Sequence, residues 1–182
     1  VPRLKFLGRG FMASATLITY LVPPSILFIP LYAQIKTLGL ANSLAGLVLS
    51  YPSFTVPFVT WLLMGYFESI PEELEEAGMI DGGTRFGAFR RVILPLAAPG
   101  VLAASLYAFT QAWNEFLYAL VFITDARLRT LPVGLASFIT GDVYGWGYLM
   151  AGAVLTTLPV IAAYIYLQKY MVEGLTAGSV KG

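Results

Sequence analysis

Residues 68–95 have the sequence ESIPEELEEAGMIDGGTRFGAFRRVILP, a long polar interruption in an otherwise apolar chain. This stretch holds six of the ten acidic residues and three of the eleven basic residues. Uncharged runs long enough to cross a bilayer lie on both sides of it. Because a structured polar loop between membrane helices is a natural place for a soluble protein to bind, we interpret residues 68–95 as a docking element.

The composition indicates a membrane protein. Of 182 residues, 58% are hydrophobic and 12% are charged, whereas a soluble domain usually carries about a quarter charged residues. The chain has no Cys and no His, which excludes disulfides, Cys/His zinc sites and catalysis by thiolate or imidazole. It also has no P-loop motif and no strongly basic patch. We therefore expect no metal, no cofactor and no nucleic-acid partner.

Four charge-poor runs predict four transmembrane helices, since a helix needs about 20 apolar residues to span a bilayer. The predicted fold class is an all-α integral membrane protein, a polytopic helix bundle. The predicted spans are helix A at 11–34, helix B at 44–67, helix C from between Val92 and Gly100 to about Ile123, and helix D at 147–170. Three prolines in helix A predict a kinked or interrupted helix: Pro23, Pro24 and Pro30.

The polar stretch itself predicts two short helices. Ser69 followed by Glu72 is typical of a capped helix start. The glycine pair at 82–83 ends that helix and lets the chain turn. Thr84 then predicts the cap of a second short helix leading to Pro95.

In the first of these helices, Leu74, Ala77 and Gly78 fall at positions i, i+3 and i+4 and share one face. Ala and Gly make this face nearly flat, so the surface of another protein could approach closely. The alternative is a solvated amphipathic loop on the membrane surface, which explains the charges but not the small residues or the glycine pair.

One acid, Glu115, lies inside the predicted helix C. An acid at a membrane helix centre costs about 2.5–3.5 kcal/mol and usually faces protein or water. Two interpretations stay open: Asn114, Glu115 and Tyr118 line a polar pathway, or Glu115 makes a fixed structural hydrogen bond. Tyr51 in helix B is a further pathway candidate, with packing against a neighbour as its alternative.

The distribution of basic residues predicts the orientation, because cytoplasmic loops are enriched in Lys and Arg. Eight basic residues fall on the side of the N-terminus, the 68–95 loop and the C-terminal tail, and three fall on the other side. The docking loop is therefore predicted to be cytoplasmic and the loop at 124–146 external. Within the external loop, LPVGLASFI at 131–139 predicts a short surface helix.

These residues resemble a known family. Glu76-Ala77-Gly78, three residues, Gly82, nine residues and 92–95 (VILP) are similar to the signature loop of membrane subunits of bacterial ABC importers. Gly78 stands where the pattern has Ala, and Val92 where it has Ile. The wider segments WNEFLYALVFI, RTLPVGLASF and GLTAGSVKG resemble the carbohydrate-uptake branch, of the maltose-transporter second permease type. The resemblance covers essentially the whole chain.

The resemblance implies a transport permease rather than an enzyme. The 68–95 loop would form a coupling helix in a cleft of a cytoplasmic ATPase dimer, and ATP hydrolysis would belong to that partner. The docking residues would be Glu76, Ala77, Gly78 and Gly82, with Asp81 supporting the turn.

Further partners implied are a second, homologous permease, an external solute-binding protein that touches the 124–146 loop, a sugar substrate and the lipid of the bacterial cytoplasmic membrane. The tail at 174–182 would approach the ATPase. Residues 1–182 would be a partial permease domain that lacks about two N-terminal helices.

Three other functions are weighed against a sugar permease. A permease of another ABC import branch, for amino acids, phosphonates or glycerol phosphate, would share the signature loop. An ion-driven secondary transporter would rest on Glu115 alone and leave the loop unexplained. A membrane-embedded enzyme would need a cluster of catalytic groups, and the acids gather in one loop without a matched nucleophile.

Overall fold

The computed structural model describes residues 7–80, 84–140 and 143–179. These ranges are helical except for turns and a short hairpin. The elements are α1 (Arg9–Leu21), α2 (Pro24–Thr37), α3 (Leu44–Ser50), α4 (Pro52–Ser69), α5 (Glu73–Ile80), α6 (Arg85–Ala88), a π-helical turn (Phe89–Ile93), α7 (Leu94–Leu96), α8 (Ala98–Trp113), α9 (Leu117–Phe122), a 3-10 turn (Ala126–Leu128), α10 (Leu131–Ala136), β1 (Ile139–Thr140), β2 (Val143–Tyr144) and α11 (Trp146–Ser179).

Two segments in the described part of the chain, Leu44–Ser69 and Trp146–Tyr170, are each long and apolar enough to cross a membrane. Two further candidates are bent pairs: Gly10–Leu21 with Pro24–Thr37, at 97°, and Arg85–Leu96 with Ala98–Trp113, at 67°. The number of candidate spans reaches four if each bent pair counts as one. The positions of helices B and D are confirmed, whereas A and C are broken helices.

The break in helix A lies at its first proline pair. Val22 has an extended backbone (φ −74°, ψ 118°) and Pro24 is the first residue of α2. A residue before proline is pushed away from helical angles, and proline itself is best tolerated in the first turn of a helix. The predicted interruption is confirmed, while Pro30 stays inside α2.

Helix C differs from the prediction at its far end. It begins at Ala98, inside the predicted interval, but α8 stops at Trp113 and a new helix starts at Leu117. Glu115 therefore lies between two helices rather than within one. The physical reason is that its carboxylate binds backbone N–H groups of α9 and so replaces the helical hydrogen bonds that would be broken there.

The polar stretch confirms one predicted cap and corrects the other. The Thr84 hydroxyl accepts from the Gly87 N–H at 3.2 Å, as expected for the cap of α6. Ser69 does not cap α5: α4 extends to this residue, and the Ser69 hydroxyl donates to the Tyr66 carbonyl at 2.7 Å. The first loop helix begins later, at Glu73.

Two apolar clusters hold the bundle together. The larger one surrounds α9, where Tyr118, Ala119 and Phe122 are almost completely buried against α2 and α3. The smaller one joins the end of α4 to the start of helix C and consists of Ile70, Ile93 and Ala97, with Tyr66, Phe67 and Val92 packed around them.

The segment at 124–146 contains the predicted short helix, observed as α10. An antiparallel hairpin follows, in which Ile139 pairs with Tyr144 and Thr140 with Val143. Helix D then continues as α11 to Ser179, beyond its predicted end at 170. The tail predicted to follow this helix is thus largely helical itself.

Candidate coupling loop and pathway residues

The two helices of the polar loop pack closely because Gly78 has no side chain. A Cβ added at Gly78 would lie 3.1 Å from the Ala88 Cβ and 3.2 Å from a Val92 methyl carbon, both tight contacts. Ala88, on the facing helix, is buried. The small residue at 78 is therefore explained by packing within the loop, and the idea that Gly78 belongs to an open flat face is corrected.

An ion pair adds a second link within the loop. The Arg85 Nε lies 3.0 Å from a carboxylate oxygen of Glu75, which joins α5 to α6. The Arg85 side chain is 57% exposed and that of Glu75 is 13% exposed. Solvent screening limits such a pair to roughly 1 kcal/mol or less, so its main effect is to fix the direction of Glu75.

The outward face of α5 departs from the predicted one at Gly78, whereas Leu74 and Ala77 of the predicted face are exposed. Glu73, Glu76, Ala77 and Ile80 are all exposed and follow the helical spacing i, i+3, i+4 and i+7. Ile80 is 84% exposed, an apolar side chain at the end of an acidic face. Sequence reasoning missed Ile80, although its spacing from Glu76 and Ala77 could have identified it. We call Glu73, Glu76, Ala77 and Ile80 the outer stripe.

The remaining docking candidates, Asp81 and Gly82, lie outside the described residues, as does the predicted glycine hinge. Of the residues implied by the signature, Glu76 and Ala77 share the outer stripe, and Gly78 faces the loop's own second helix.

The loop is fixed to the start of helix C. Its π-helical turn runs directly into α7, and Ile93 within that turn is buried against Ile70 and Ala97. Gly100, in the first turn of α8, lies under the ring of Tyr66 from α4, where an added Cβ would come within 2.6 Å of three ring carbons. Packed contacts therefore join the loop to helices B and C.

Glu115 makes fixed structural hydrogen bonds, which was one of the two interpretations of this residue. One carboxylate oxygen accepts from the Tyr118 N–H at 2.6 Å and the other from the Ala119 N–H at 2.9 Å. These amides belong to the first turn of α9, which has no intrahelical acceptors for them. A negative charge at this position also suits the positive end of the helix dipole.

The other pathway candidates have different surroundings. Tyr118 is 1% exposed, and its hydroxyl donates to the Pro24 carbonyl at 3.1 Å, at the break in helix A. Tyr51 is half-buried and lies in ring contact with Phe54, which in turn contacts Tyr118. Asn114 is exposed and donates to the Thr110 carbonyl at 2.9 Å. Tyr51 and Tyr118 thus share one aromatic cluster, while only Asn114 is openly accessible.

Asn42 is a structural residue that sequence reasoning missed. Its side-chain oxygen accepts from the backbone N–H groups of Thr124 and Asp125, at 2.8 and 2.9 Å. Its own N–H donates to the Phe122 carbonyl at 3.1 Å. Asn42 has φ +54°, a left-handed conformation that Asn tolerates better than most residues. An Asn ending the short polar turn after helix A was the available signal.

Comparisons with known proteins agree with this geometry. The model of the family described as the binding-protein-dependent transport system inner membrane component matches residues 3–176. The chain belongs to this family. The resemblance drawn from the signature loop is thereby confirmed, and with it a membrane location.

Two relatives are similar over the whole of this chain. The trehalose/maltose transport system permease protein MalG of Thermococcus litoralis is 40% identical over 184 residues, covering 100% of this chain and 66% of the relative. The diacetylchitobiose uptake system permease protein DasC of Streptomyces coelicolor is 41% identical over 182 residues, with the same coverage of 100% and 66%. The chain thus spans just under two thirds of the length of these curated relatives.

A solved structure shows the fold. It is the crystal structure of a bacterial ABC transporter involved in the import of the acidic polysaccharide alginate, and one of its chains is 25% identical. The match has a TM-score of 0.72 and covers 93% of this chain and 64% of that chain. The predicted helical permease fold is confirmed.

Proposed function

We propose that this chain is a membrane-spanning permease subunit of an ATP-driven sugar importer in the bacterial cytoplasmic membrane. It forms half of the translocation pathway and receives motion from a cytoplasmic ATPase through the loop at 68–95. The observation that carries this proposal is the outer stripe of α5, an exposed surface on a loop that is itself packed onto helices B and C.

The contacts within the loop favour transmission of motion. Gly78 against Ala88 and Glu75 against Arg85 hold α5 and α6 together, so the loop moves as one unit. A partner that binds the outer stripe then displaces the start of helix C through the packing contacts of Ile93. To switch two conformations fully, the partner must prefer one by about 5.5 kcal/mol. ATP binding to a separate subunit supplies this preference, and this chain itself hydrolyses nothing.

The other partners follow from the same proposal. A second, homologous permease completes the pathway, and an external solute-binding protein delivers the sugar at residues 124–146. The tail at 174–182 approaches the ATPase. Asn42 holds the first residues of the external segment against the turn between α2 and α3. A protein that binds this segment therefore contacts a part of the chain that is fixed to the helices.

A sugar is the substrate best supported, because relatives across the full length of the chain are named for sugar transport. Import of amino acids, phosphonates or glycerol phosphate by the same architecture is the alternative. An ion-driven carrier centred on Glu115 is disfavoured, since both carboxylate oxygens already accept backbone hydrogen bonds.

The test uses the full-length gene product, tagged and purified from its native membranes in mild detergent. We expect an ATPase with a P-loop and a second permease to co-purify. The variant Ala77→Trp, on the outer stripe, should lose the ATPase and keep the second permease. Met79→Trp places the same indole on the same helix but off the stripe, and should keep both. If the unmodified protein purifies alone or as a homo-oligomer, the importer proposal is wrong.

A further inference from the structure

Aromatic rings from three helices form a cluster between α1, α4 and α8. Tyr20 of α1 lies against Phe58 of α4 with ring centroids 5.5 Å apart, and Phe58 lies against Tyr107 of α8 with centroids 4.0 Å apart. The ring of Trp61, one turn further along α4, lies 5.9 Å from that of Phe58. Tyr20 is 46% exposed and Trp61 is 50% exposed, so the cluster has an open side.

The cluster lies far from the ends of the helices that form it. Tyr20 and Phe58 are each 11 residues from the predicted cytoplasmic end of α1 or α4, and Tyr107 is 9 residues from that of α8. At the rise of an α-helix these separations are about 14–17 Å. Because the hydrocarbon core of a bilayer is about 30 Å thick, the predicted orientation places the cluster near the middle of the membrane.

The polar groups of the cluster are linked to one another but not fully satisfied. The Gln111 amide nitrogen donates to the Tyr107 hydroxyl at 3.2 Å, and the Tyr107 hydroxyl interacts with that of Tyr20. A glutamine side chain has two N–H donors and a carbonyl acceptor. Within the described ranges, the carbonyl and the second amide hydrogen of Gln111 have no hydrogen-bond partner, and its side chain is exposed. Hydrocarbon offers no such partner, so Gln111 requires a polar neighbour.

The cluster has no charged group at its own depth. The sequence has no charged residue at 11–35, 41–67 or 92–114, so α1, α4 and α8 bring none to the middle of the membrane. Glu115 is the nearest acid along the chain from Gln111, and both of its carboxylate oxygens accept backbone hydrogen bonds. A phosphate or carboxylate withdrawn from water needs a positive partner. The cluster offers instead neutral donors and acceptors beside apolar rings, a combination typical of sites for neutral small molecules.

We propose that Tyr20, Phe58, Trp61, Tyr107 and Gln111 form a contact site for a neutral, polyhydroxylated solute, a sugar without phosphate or carboxylate groups. The amide of Gln111 binds sugar hydroxyls, and the exposed rings of Tyr20 and Trp61 lie against the apolar C–H face of the sugar ring. This inference rests on the proposed permease function and adds to it the charge class of the solute and the residues that touch it. The pathway candidates drawn from the sequence lie outside this site.

Cysteine protection in the complete transporter, with its solute-binding protein present, tests the site. The chain has no Cys of its own, so Gln111→Cys gives it a single thiol. We expect a water-soluble methanethiosulfonate reagent to modify this thiol. At least one of maltose, trehalose and diacetylchitobiose should slow the labelling, whereas glycerol 3-phosphate and glutamate should not. Phe109→Cys lies two residues earlier, on another side of α8, and should be protected by none of the five.

Two results of the labelling experiment would overturn the site. A thiol at position 111 that stays unlabelled faces lipid or the second permease instead of a solute. Protection by the charged solutes alone, or by none of the five, would remove the assignment to neutral sugars. The importer proposal survives either result if the ATPase and the second permease co-purify, so the two proposals fail separately.

Substitutions that keep the size of the side chain give a second readout. Tyr107→Phe and Gln111→Met remove hydrogen-bonding groups and keep most of the packing. In liposomes, complexes that contain the ATPase should take up the protecting sugar about two- to tenfold more slowly for each hydrogen bond lost. Gln34→Ala removes an exposed amide from α2, away from the cluster, and should transport like the unmodified protein. Unchanged uptake by both cluster variants would also overturn the site.

Discussion

The side-chain oxygen of Asn42 lies 2.8 Å from the backbone nitrogen of Thr124, although the two residues are 82 positions apart in the chain. The same oxygen also accepts from Asp125, and the Asn42 backbone donates to Phe122. One side chain therefore ties the turn between α2 and α3 to the point where α9 ends. Glu115 fixes the other end of α9 in the same way, through two backbone amides.

A substitution series at Asn42 separates the contribution of its side-chain acceptor oxygen from that of its left-handed backbone. Asn42→Asp keeps an acceptor oxygen and should be close to the unmodified protein. Asn42→Gly keeps the positive φ but loses two hydrogen bonds, each worth about 0.5–1.5 kcal/mol. Asn42→Ala loses the hydrogen bonds and adds about 1–2 kcal/mol for the left-handed backbone. Thermal unfolding in detergent should rank the variants Asp, Gly, Ala, and equal stability of all three would contradict the assigned contacts.

Glu115 offers a test between a structural and a pathway role. Glu115→Ala leaves two amides of α9 without acceptors, at about 1–3 kcal/mol each, and should lower the unfolding temperature markedly. Glu115→Gln keeps one amide oxygen as an acceptor and should lower it less. If the role of Glu115 is structural, the Gln variant keeps the substrate affinity of the unmodified protein. Its transport activity then falls only in proportion to the folded fraction. An altered KM in a fully folded Gln variant would instead place Glu115 in the pathway.

The sequence predicted the apolar segments better than the breaks between them. Uncharged length decides where a span lies, and so helices B and D were found at their observed positions. The prolines at 23 and 24 also signalled an interruption because proline acts locally. The break before α9 depends instead on a side chain bonding to backbone three and four residues ahead, which apolar periodicity does not report.

In the 68–95 loop, too, local features were predictable from the sequence and features that depend on packing were not. Its two helices and the Thr84 cap were predictable from local patterns. Which face of α5 points outward was not, because Gly78 faces inward only as a result of its contact with Ala88 and Val92. Spacing alone groups Leu74, Ala77 and Gly78, and of these three the packing of α6 against α5 covers Gly78.

The contact between Gly100 and Tyr66 predicts a compensating pair of substitutions. Gly100→Ala places a methyl group within 2.6 Å of ring carbons of Tyr66, and overpacking of this kind typically costs about 1–3 kcal/mol. The single variant should unfold at a lower temperature or assemble poorly. Adding Tyr66→Ala removes the ring and should recover part of the loss, so that the two changes are non-additive in a double-mutant cycle. Additive effects would mean that the two residues do not touch in the folded protein.

Gly78 and Ala77 are neighbours in sequence with opposite expected behaviour. Gly78→Ala gains up to about 1 kcal/mol of helix propensity, which offsets the tight contacts of the new methyl group with Ala88 and Val92, so its net effect should be small. Gly78→Leu has no space between α5 and α6 and should separate them. This substitution should lower the unfolding temperature and also weaken the coupling of ATPase activity to transport. Ala77→Leu, exposed on the outer stripe, should leave the unfolding temperature unchanged and reduce only solute-stimulated ATPase activity of the assembled complex. If Gly78→Leu were as stable as Ala77→Leu, position 78 would face outward, and the docking surface would be the flat face of Leu74, Ala77 and Gly78 after all.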